Sequence, residues 1–169
     1  MLSRIQQYIV LVCVAAVGTG AALYLQEPAF SPSFARAAAA FGLISILAHL
    51  VSHRIARETT GSLSFIPVLA SAAIAPHWVT MLAVAAAALI EQVIVKKGAV
   101  KTIFNTAQQS FAIALAILAY RALGGKALTS IAQSGSLSLF ALFLVFFLVN
   151  SICVSGALGI VTGANAWKI

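Results

Sequence analysis

Long apolar runs dominate this chain, and they limit the available folds more than any other feature of the sequence. Hydrophobic residues make up 62% of the 169 residues, and charged residues only 8%. A water-soluble core of this size cannot hide so much apolar surface. Because roughly 20 apolar residues cross a bilayer as a helix, the sequence predicts an integral membrane protein.

Six apolar segments, separated by short polar connections, predict an all-α, polytopic transmembrane bundle of about six helices. The third segment is short, contains Pro67 and is followed by Pro76. We therefore expect a short or broken helix that its neighbours shield. The predicted helices cover residues 7–25, 34–53, 62–75, 77–95, 102–123 and 136–162. Together they form one integral membrane domain over residues 1–169, which we expect to be the membrane part of a longer protein.

Lysine and arginine orient the predicted bundle, since cytoplasmic connections carry the excess of positive charge. One side receives Arg4, Arg54, Arg57, Lys96, Lys97, Lys101 and Lys168, and the other receives Arg36, Arg121 and Lys126. Both termini are therefore predicted to be cytoplasmic, in a multi-pass protein of the bacterial cytoplasmic membrane. Because these residues flank apolar segments, the net charge of +7 indicates membrane topology and not a nucleic-acid partner.

Four polar residues interrupt the later apolar segments: Glu91, Asn105, Gln108 and Asn150. Each would cost a few kcal/mol to bury unpaired in hydrocarbon, so we expect them to face one another or a wet cavity. Asn105 and Gln108 are three residues apart, which puts them on one helix face. We expect Glu91 to contact one of these two amides and to face away from lipid. The cluster is either interhelical glue or a site for an unknown polar ligand or a proton-sensitive switch.

Two histidines near the end of the second segment, His49 and His53, have the four-residue spacing that can place two imidazoles on one metal ion. Glu91 lies at a similar predicted depth, but no third ligand is assured. The alternative is a pair of histidines at the membrane interface beside Arg54 and Arg57. We therefore predict no bound cofactor.

The last predicted helix carries small residues at four-residue spacing, namely Ser155, Gly159 and Gly163. Such a strip lets another helix approach closely. It fits packing inside the bundle or contact with a second copy in a homodimer.

Catalytic patterns have little support. Glu91 has no second intramembrane glutamate to pair with, and the chain contains no aspartate. Ser155 lacks the preceding glycine and the histidine at matching depth that an intramembrane serine protease would need. We therefore expect that this chain alone is not an enzyme.

Several short motifs occur in a characteristic order: GSLSF at 61–65, KK at 96–97, IFNTAQ at 103–108, YRALGG at 120–125 and FLVN at 147–150. In this order residues 61–162 resemble the multi-helix membrane domain that precedes HD or HD-GYP phosphohydrolase domains, and sometimes GGDEF diguanylate cyclase domains, in bacterial signalling proteins. The most specific piece, FNTAQ at 104–108, is similar to the F-N-x-A-Q of that family.

This resemblance implies a sensory or anchoring module that controls cyclic-di-nucleotide turnover in the cytoplasm, with catalytic residues beyond Ile169. The alternative from a different class is a solute-binding membrane subunit, similar to the substrate-specific component of vitamin importers. The lipid bilayer is the expected partner in either case. The predicted polar cluster lies toward the inner side, whereas an importer pocket opens outward, and this favours the sensory interpretation.

The orientation can be tested by cysteine labelling in intact cells. If both termini are cytoplasmic, the connection at residues 124–135 faces outward and the one at Lys97 faces inward. A membrane-impermeant thiol reagent should then label Ser130→Cys and spare Lys97→Cys. The reverse pattern would show that the orientation is wrong.

Overall fold

A computed structural model describes residues 3–55, 64–128 and 135–163, with the backbone alone for residues 52–55. Every regular element in this part of the chain is a helix. The helices are α1 (Arg4–Gln26), α2 (Pro32–Ile55), α3 (Phe65–Ile74), α4 (Trp78–Ile94), α5 (Ala99–Ala122) and α6 (Ser136–Thr162). The predicted all-α bundle is confirmed. Arg57, Lys168 and the side chains of His53 and Arg54 lie outside what is described.

Local capping signals move several helix ends from their predicted positions. Ser3 and Gln6 form a capping box, which starts α1 earlier than the apolar run suggests. At the start of α2, Pro32 occupies the first turn, where its missing N–H is no loss. Gly163 takes a left-handed conformation with φ of 66° and ends α6.

Packing centres on α5. Four helices form a row in the order α2, α4, α5 and α6, and α3 contacts all four of them. On the other side of α5 lies α1, which reaches α4 and α6 at its margins and makes no contact with α3. The fully buried middle of α5 consists of small and branched residues, namely Ala112, Ile113, Ala114, Ala116 and Ile117. Their size lets several helices approach α5 closely.

Two of the helices are short for a bilayer. Four helices, α1, α2, α5 and α6, are long and apolar enough to cross a membrane, whereas α3 has 10 residues and α4 has 17. At about 1.5 Å per residue α3 is about 15 Å long, half of a hydrocarbon core of about 30 Å. The short third helix is thus confirmed, with bounds inside the predicted 62–75. Pro76 prevents its continuation into α4.

Aromatic contacts bring several helix ends together at what we name the Trp78 end. The ring of Trp78 lies 5.7 Å from Tyr24 at the end of α1, and the ring of His77 lies 5.6 Å from Phe34 at the start of α2. At the same end, the backbone N–H of Leu128 donates to the carbonyl of Ala73 at 3.0 Å. Helices α1, α3 and α5 therefore run toward the Trp78 end, and α2, α4 and α6 run away from it.

The opposite end is named the lysine end, after Lys96, Lys97 and Lys101 around the turn from α4 to α5. Lys96 has a positive φ of 56°, which reverses the chain there. The start of α1 and the end of α6 lie at this end as well, since Tyr8 donates to the carbonyl of Cys153 at 3.1 Å.

The predicted role of the small-residue strip on α6, in packing or in contact with a second copy, stays a prediction. Ser155 is exposed, Gly159 is half-buried and Gly163 lies beyond the last helical residue. Close to α1 lies Gly156, where an added Cβ would lie 2.5 Å from the hydroxyl of Tyr8. One residue corresponds to a rotation of about 100° around a helix, so Ser155 faces away from this contact, whereas Gly159 lies only about 60° from the direction of Gly156.

The end of α5 depends on a second glycine. Tyr120 is fully buried, and its hydroxyl donates to the carbonyl of Lys126 at 2.6 Å. Gly124 supplies a positive φ of 78°, and the chain then turns back over the aromatic ring. A Cβ at Gly125 would lie 2.6 Å from three atoms of that ring. Because the ring is buried on all sides, it cannot move aside without disturbing the core.

Substituting this glycine should destabilise the bundle. We expect Gly125→Ala to lower the free energy of unfolding by about 1 to 3 kcal/mol, as overpacking in a tight core does. Unfolding in mixed detergent and dodecyl sulfate would measure it. The matched control is Gly18→Ala, where a Cβ meets nothing within 4 Å. That control should be neutral or stabilising by up to about 1 kcal/mol, through helix propensity. Equal effects of the two changes would contradict the packing described for Tyr120.

Candidate functional site

Glu91 on α4 is almost completely buried, with 1% of its surface exposed. Its Oε1 accepts a hydrogen bond from the hydroxyl of Ser45 on α2, at 3.2 Å. Its Oε2 lies 3.5 Å from Nδ1 of His49, also on α2, which is within ion-pair range but lacks hydrogen-bond geometry. The carboxyl group thus lies between α4 and α2 and faces away from lipid.

The same serine also approaches the start of α3. The Ser45 hydroxyl lies 3.3 Å from the carbonyl oxygen of Ser64, the residue before the first turn of α3. No side chain caps that turn. The first amides of a helix have no intrahelical acceptor and carry partial positive charge. Ser45 therefore joins the carboxyl group on α4 to the beginning of the half-length helix.

Two further polar pairs connect the neighbouring helices. Asn105 on α5 donates through Nδ2 to Oε1 of Gln92 on α4, at 2.8 Å. Gln108 on α5 donates through Nε2 to Oδ1 of Asn150 on α6. Gln92 and Gln108 are buried, with 2% and 3% exposed. The three groups of contacts join α2 to α4, α4 to α5 and α5 to α6, so each adjacent pair of helices in the row shares at least one polar contact.

These contacts lie at one depth, measured along the helix axes from the Trp78 end. Ser45 and Glu91 are each about 20 Å from the starts of their helices, α2 and α4. Asn150 is about 20 Å from the start of α6, and Gln108 is about 20 Å from the end of α5. The half-length α3 begins beside these residues. We give the name polar layer to Ser45, Glu91, Gln92, Asn105, Gln108 and Asn150.

This geometry corrects the predicted contact of Glu91 with Asn105 or Gln108, whereas the contact of Gln108 with Asn150 fits the expectation that members of the cluster face one another. Asn105 and Gln108 make their hydrogen bonds to Gln92 and Asn150, and Glu91 is held by Ser45 instead. Sequence reasoning missed Ser45 because a single serine in an apolar helix can bond its own backbone and carries no pairing signal. Gln92 was detectable, since it is the second polar residue in an otherwise apolar stretch.

The structure describes the side chain of only one of the two histidines that were considered as metal ligands. His49 faces Glu91 as described above, while the side chain of His53 lies outside the described residues. Among the described side chains, no group of three or more histidine, cysteine or carboxylate residues could hold a metal ion. Both cysteines, Cys13 and Cys153, are free thiols.

Buried polar contacts between helices and a half-length helix that begins beside them are features that a membrane-embedded receptor module can use. Comparison with known families agrees: residues 30–169 match MASE9, a family of membrane-associated sensory domains. The match covers most of the chain, so the chain belongs to the MASE9 family. It begins after α1, which lies outside the matched residues. No curated protein and no solved structure matches the chain.

Family membership supports two of the expectations from the sequence. It supports a membrane sensory domain, as the resemblance of residues 61–162 implied, and it accords with a chain that has no catalytic activity of its own. The identity of the output and the role of the polar layer stay predictions.

The pairing in the polar layer can be measured by double-mutant cycles on unfolding in detergent. The cycle of Gln108→Ala with Asn150→Ala should give a coupling free energy of about 0.6 kcal/mol, the average for such bonds in membranes. The cycle of Glu91→Gln with Asn105→Ala is the control, because these side chains hydrogen-bond to different partners. A larger coupling in the control than in the first cycle would overturn the assignment of partners.

Proposed function

We propose that this chain is the sensory input of a cyclic-di-nucleotide signalling protein, and that Glu91 with Ser45 forms its switch. Two observations support the proposal. The chain belongs to a family of membrane-associated sensory domains, and its one buried carboxyl group among the described residues is connected through Ser45 to the start of a helix that reaches only halfway across the bundle. The second observation carries the argument, because it supplies a two-state element.

The switch follows from the chemistry of one hydroxyl group. Ser45 has a single hydroxyl hydrogen and two acceptors within reach, the carboxyl oxygen of Glu91 at 3.2 Å and the carbonyl of Ser64 at 3.3 Å. A hydroxyl can donate fully to only one of them at a time, while its lone pairs accept from another donor. Two arrangements are therefore available, and the protonation of Glu91 selects between them.

An ionised Glu91 attracts the Ser45 hydrogen, because charge-assisted hydrogen bonds are the stronger ones. A protonated Glu91 can instead donate to Ser45 Oγ, which frees the Ser45 hydrogen to bond the carbonyl of Ser64. In the second arrangement a continuous chain of hydrogen bonds joins α4, α2 and the start of α3. Binding of a polar ligand beside the carboxyl group would shift the same equilibrium.

Two basic side chains influence the protonation of Glu91 in the proposed switch. His49 faces it from α2 at 3.5 Å, and the ammonium group of Lys97, just past the end of α4, acts on it through its positive charge. The residues of α3 include no titratable side chain. His49 thus places a second titratable side chain beside the carboxyl group.

The energies are of the size that a sensor requires. An interhelical hydrogen bond in a membrane contributes about 0.6 kcal/mol, and allosteric coupling is commonly about 1 to 3 kcal/mol. Exchange of one or two such bonds changes the balance between two packings without unfolding the bundle. In the proposed orientation, with both termini cytoplasmic, α6 ends at the lysine end and so reaches the compartment where cyclic di-nucleotides are made and degraded.

The test expresses the chain together with any output domain that its reading frame encodes beyond residue 169, as the proposal requires. We expect cyclic-di-GMP turnover to vary with pH in the wild type, by about 5-fold to 150-fold if the full coupling is realised. Glu91→Gln should remove that dependence, because its amide donates as the protonated acid does. Ser45→Ala should also remove it, since the relay to Ser64 is lost.

The matched control is Ser110→Ala, another buried serine, whose hydroxyl donates to the carbonyl of Thr106 within α5. It should leave both yield and pH dependence near the wild type. If loss of turnover tracks loss of yield across all three variants, the polar layer is structural and the switch is wrong. A reading frame that stops at residue 169 beside genes for an ATPase pair would contradict the output and favour the importer subunit.

A further inference from the structure

An apolar groove of about 340 Å³ runs along the surface of the bundle between α1 and α4, with α5 as its floor. It exists because α1 and α4 both pack on α5 while they touch each other only at their margins. Cys13 and Val17 line it from α1, Met81 and Leu89 from α4, and Ile103 and Ala107 from α5. A second depression of about 360 Å³ shares Cys13 and Val17 and extends it along α1.

The groove opens toward the lysine end. Thr102, on the groove floor, donates its hydroxyl hydrogen to the carbonyl of Lys97 at 3.3 Å, so the turn with Lys96 and Lys97 lies next to the end of the groove. Lys101 directly precedes Thr102, and Arg4 begins α1 at the same end. All four cationic side chains are exposed.

The described acidic residues are Glu27 and Glu91, and neither forms an ion pair with these four cations. Glu27 lies at the Trp78 end in an ion pair with Arg121, and Glu91 is buried between α2 and α4. The lysine end of the groove thus presents positive charge directly below hydrocarbon walls. An amphipathic anion with a long apolar part complements both features.

We propose that this groove binds one anionic phospholipid, with an acyl chain between α1 and α4 and the phosphate group held by Lys97 and Lys101. The lysines lie close to the groove floor, and their flexible stems allow the ammonium groups to reach a phosphate. One groove wall is α1, which lies outside the residues matched to the MASE9 family. The lipid site therefore includes a helix from outside the family match. It does not depend on the proposed switch or output.

Native mass spectrometry of the 169-residue protein, released from nanodiscs of equal phosphatidylglycerol and phosphatidylcholine, tests the proposal. We expect wild-type protein to retain one phosphatidylglycerol. Removing one lysine near a lipid surface should weaken retention about fivefold, so Lys97→Gln with Lys101→Gln should weaken it about 25-fold. Lys126→Gln at the Trp78 end is the charge control and should retain lipid as the wild type does.

The acyl chain is tested separately by filling the groove. Ala107→Phe places a large ring on the floor and should abolish retention, whereas Leu82→Phe, at a lipid-exposed position outside the groove, should not. A phosphatidylglycerol with a diazirine in its acyl chain should crosslink to α1 and α5 residues of the groove, a readout that stands even if one variant folds poorly.

Three outcomes would overturn the lipid site. If Lys126→Gln weakened the retention of phosphatidylglycerol as much as the double lysine variant does, the effect would be one of general charge. Normal retention in Ala107→Phe together with loss in the lysine variant would mean a phosphate site without an acyl chain. Crosslinks spread evenly over all the exposed helices would mean ordinary annular lipid.

Discussion

Hydrocarbon cannot hydrogen-bond, so a polar side chain inside a membrane bundle must find its partner on another helix or on its own backbone. This constraint organises the polar layer. Glu91 pairs across to α2, Gln92 to α5, and Gln108 to α6. The contacts follow the order in which the helices pack, and they lie about 20 Å from the Trp78 end. The row of four helices is thus fixed in depth by polar contacts, while small residues on α5 fix its spacing.

The polar layer lies where the half-length α3 begins. A helix of about 15 Å fills only the part of the bundle between the polar layer and the Trp78 end. Its first turn meets Ser45, so the helix begins where the buried carboxyl group lies. The helix also contacts α2, α4, α5 and α6. In the proposed switch, a change at Glu91 would therefore reach a helix that all four members of the row contact.

Much of this architecture could be predicted from the sequence. The apolar runs predicted six helices with ends within a few residues, and the prolines around α3 predicted that it would be short. Burial of Glu91 was also predictable, since a carboxyl group facing lipid would lose its hydration without compensation. These features depend on composition and on interactions close in the chain. The MASE9 match agrees with the sensory class that short motifs such as FNTAQ at 104–108 implied.

Tertiary structure decided which polar group meets which. Helix order and rotation select Ser45 rather than Asn105 as the partner of Glu91, and neither quantity is encoded in the spacing along one helix. The same holds for α6, where Gly156 approaches α1 while Ser155, its neighbour in the chain, is exposed. A rotation of about 100° per residue separates a packing face from a lipid face, and apolar residues surround both. The sequence therefore determined that this chain would be a helical membrane bundle with buried polar groups, whereas only the packed bundle determined their partners.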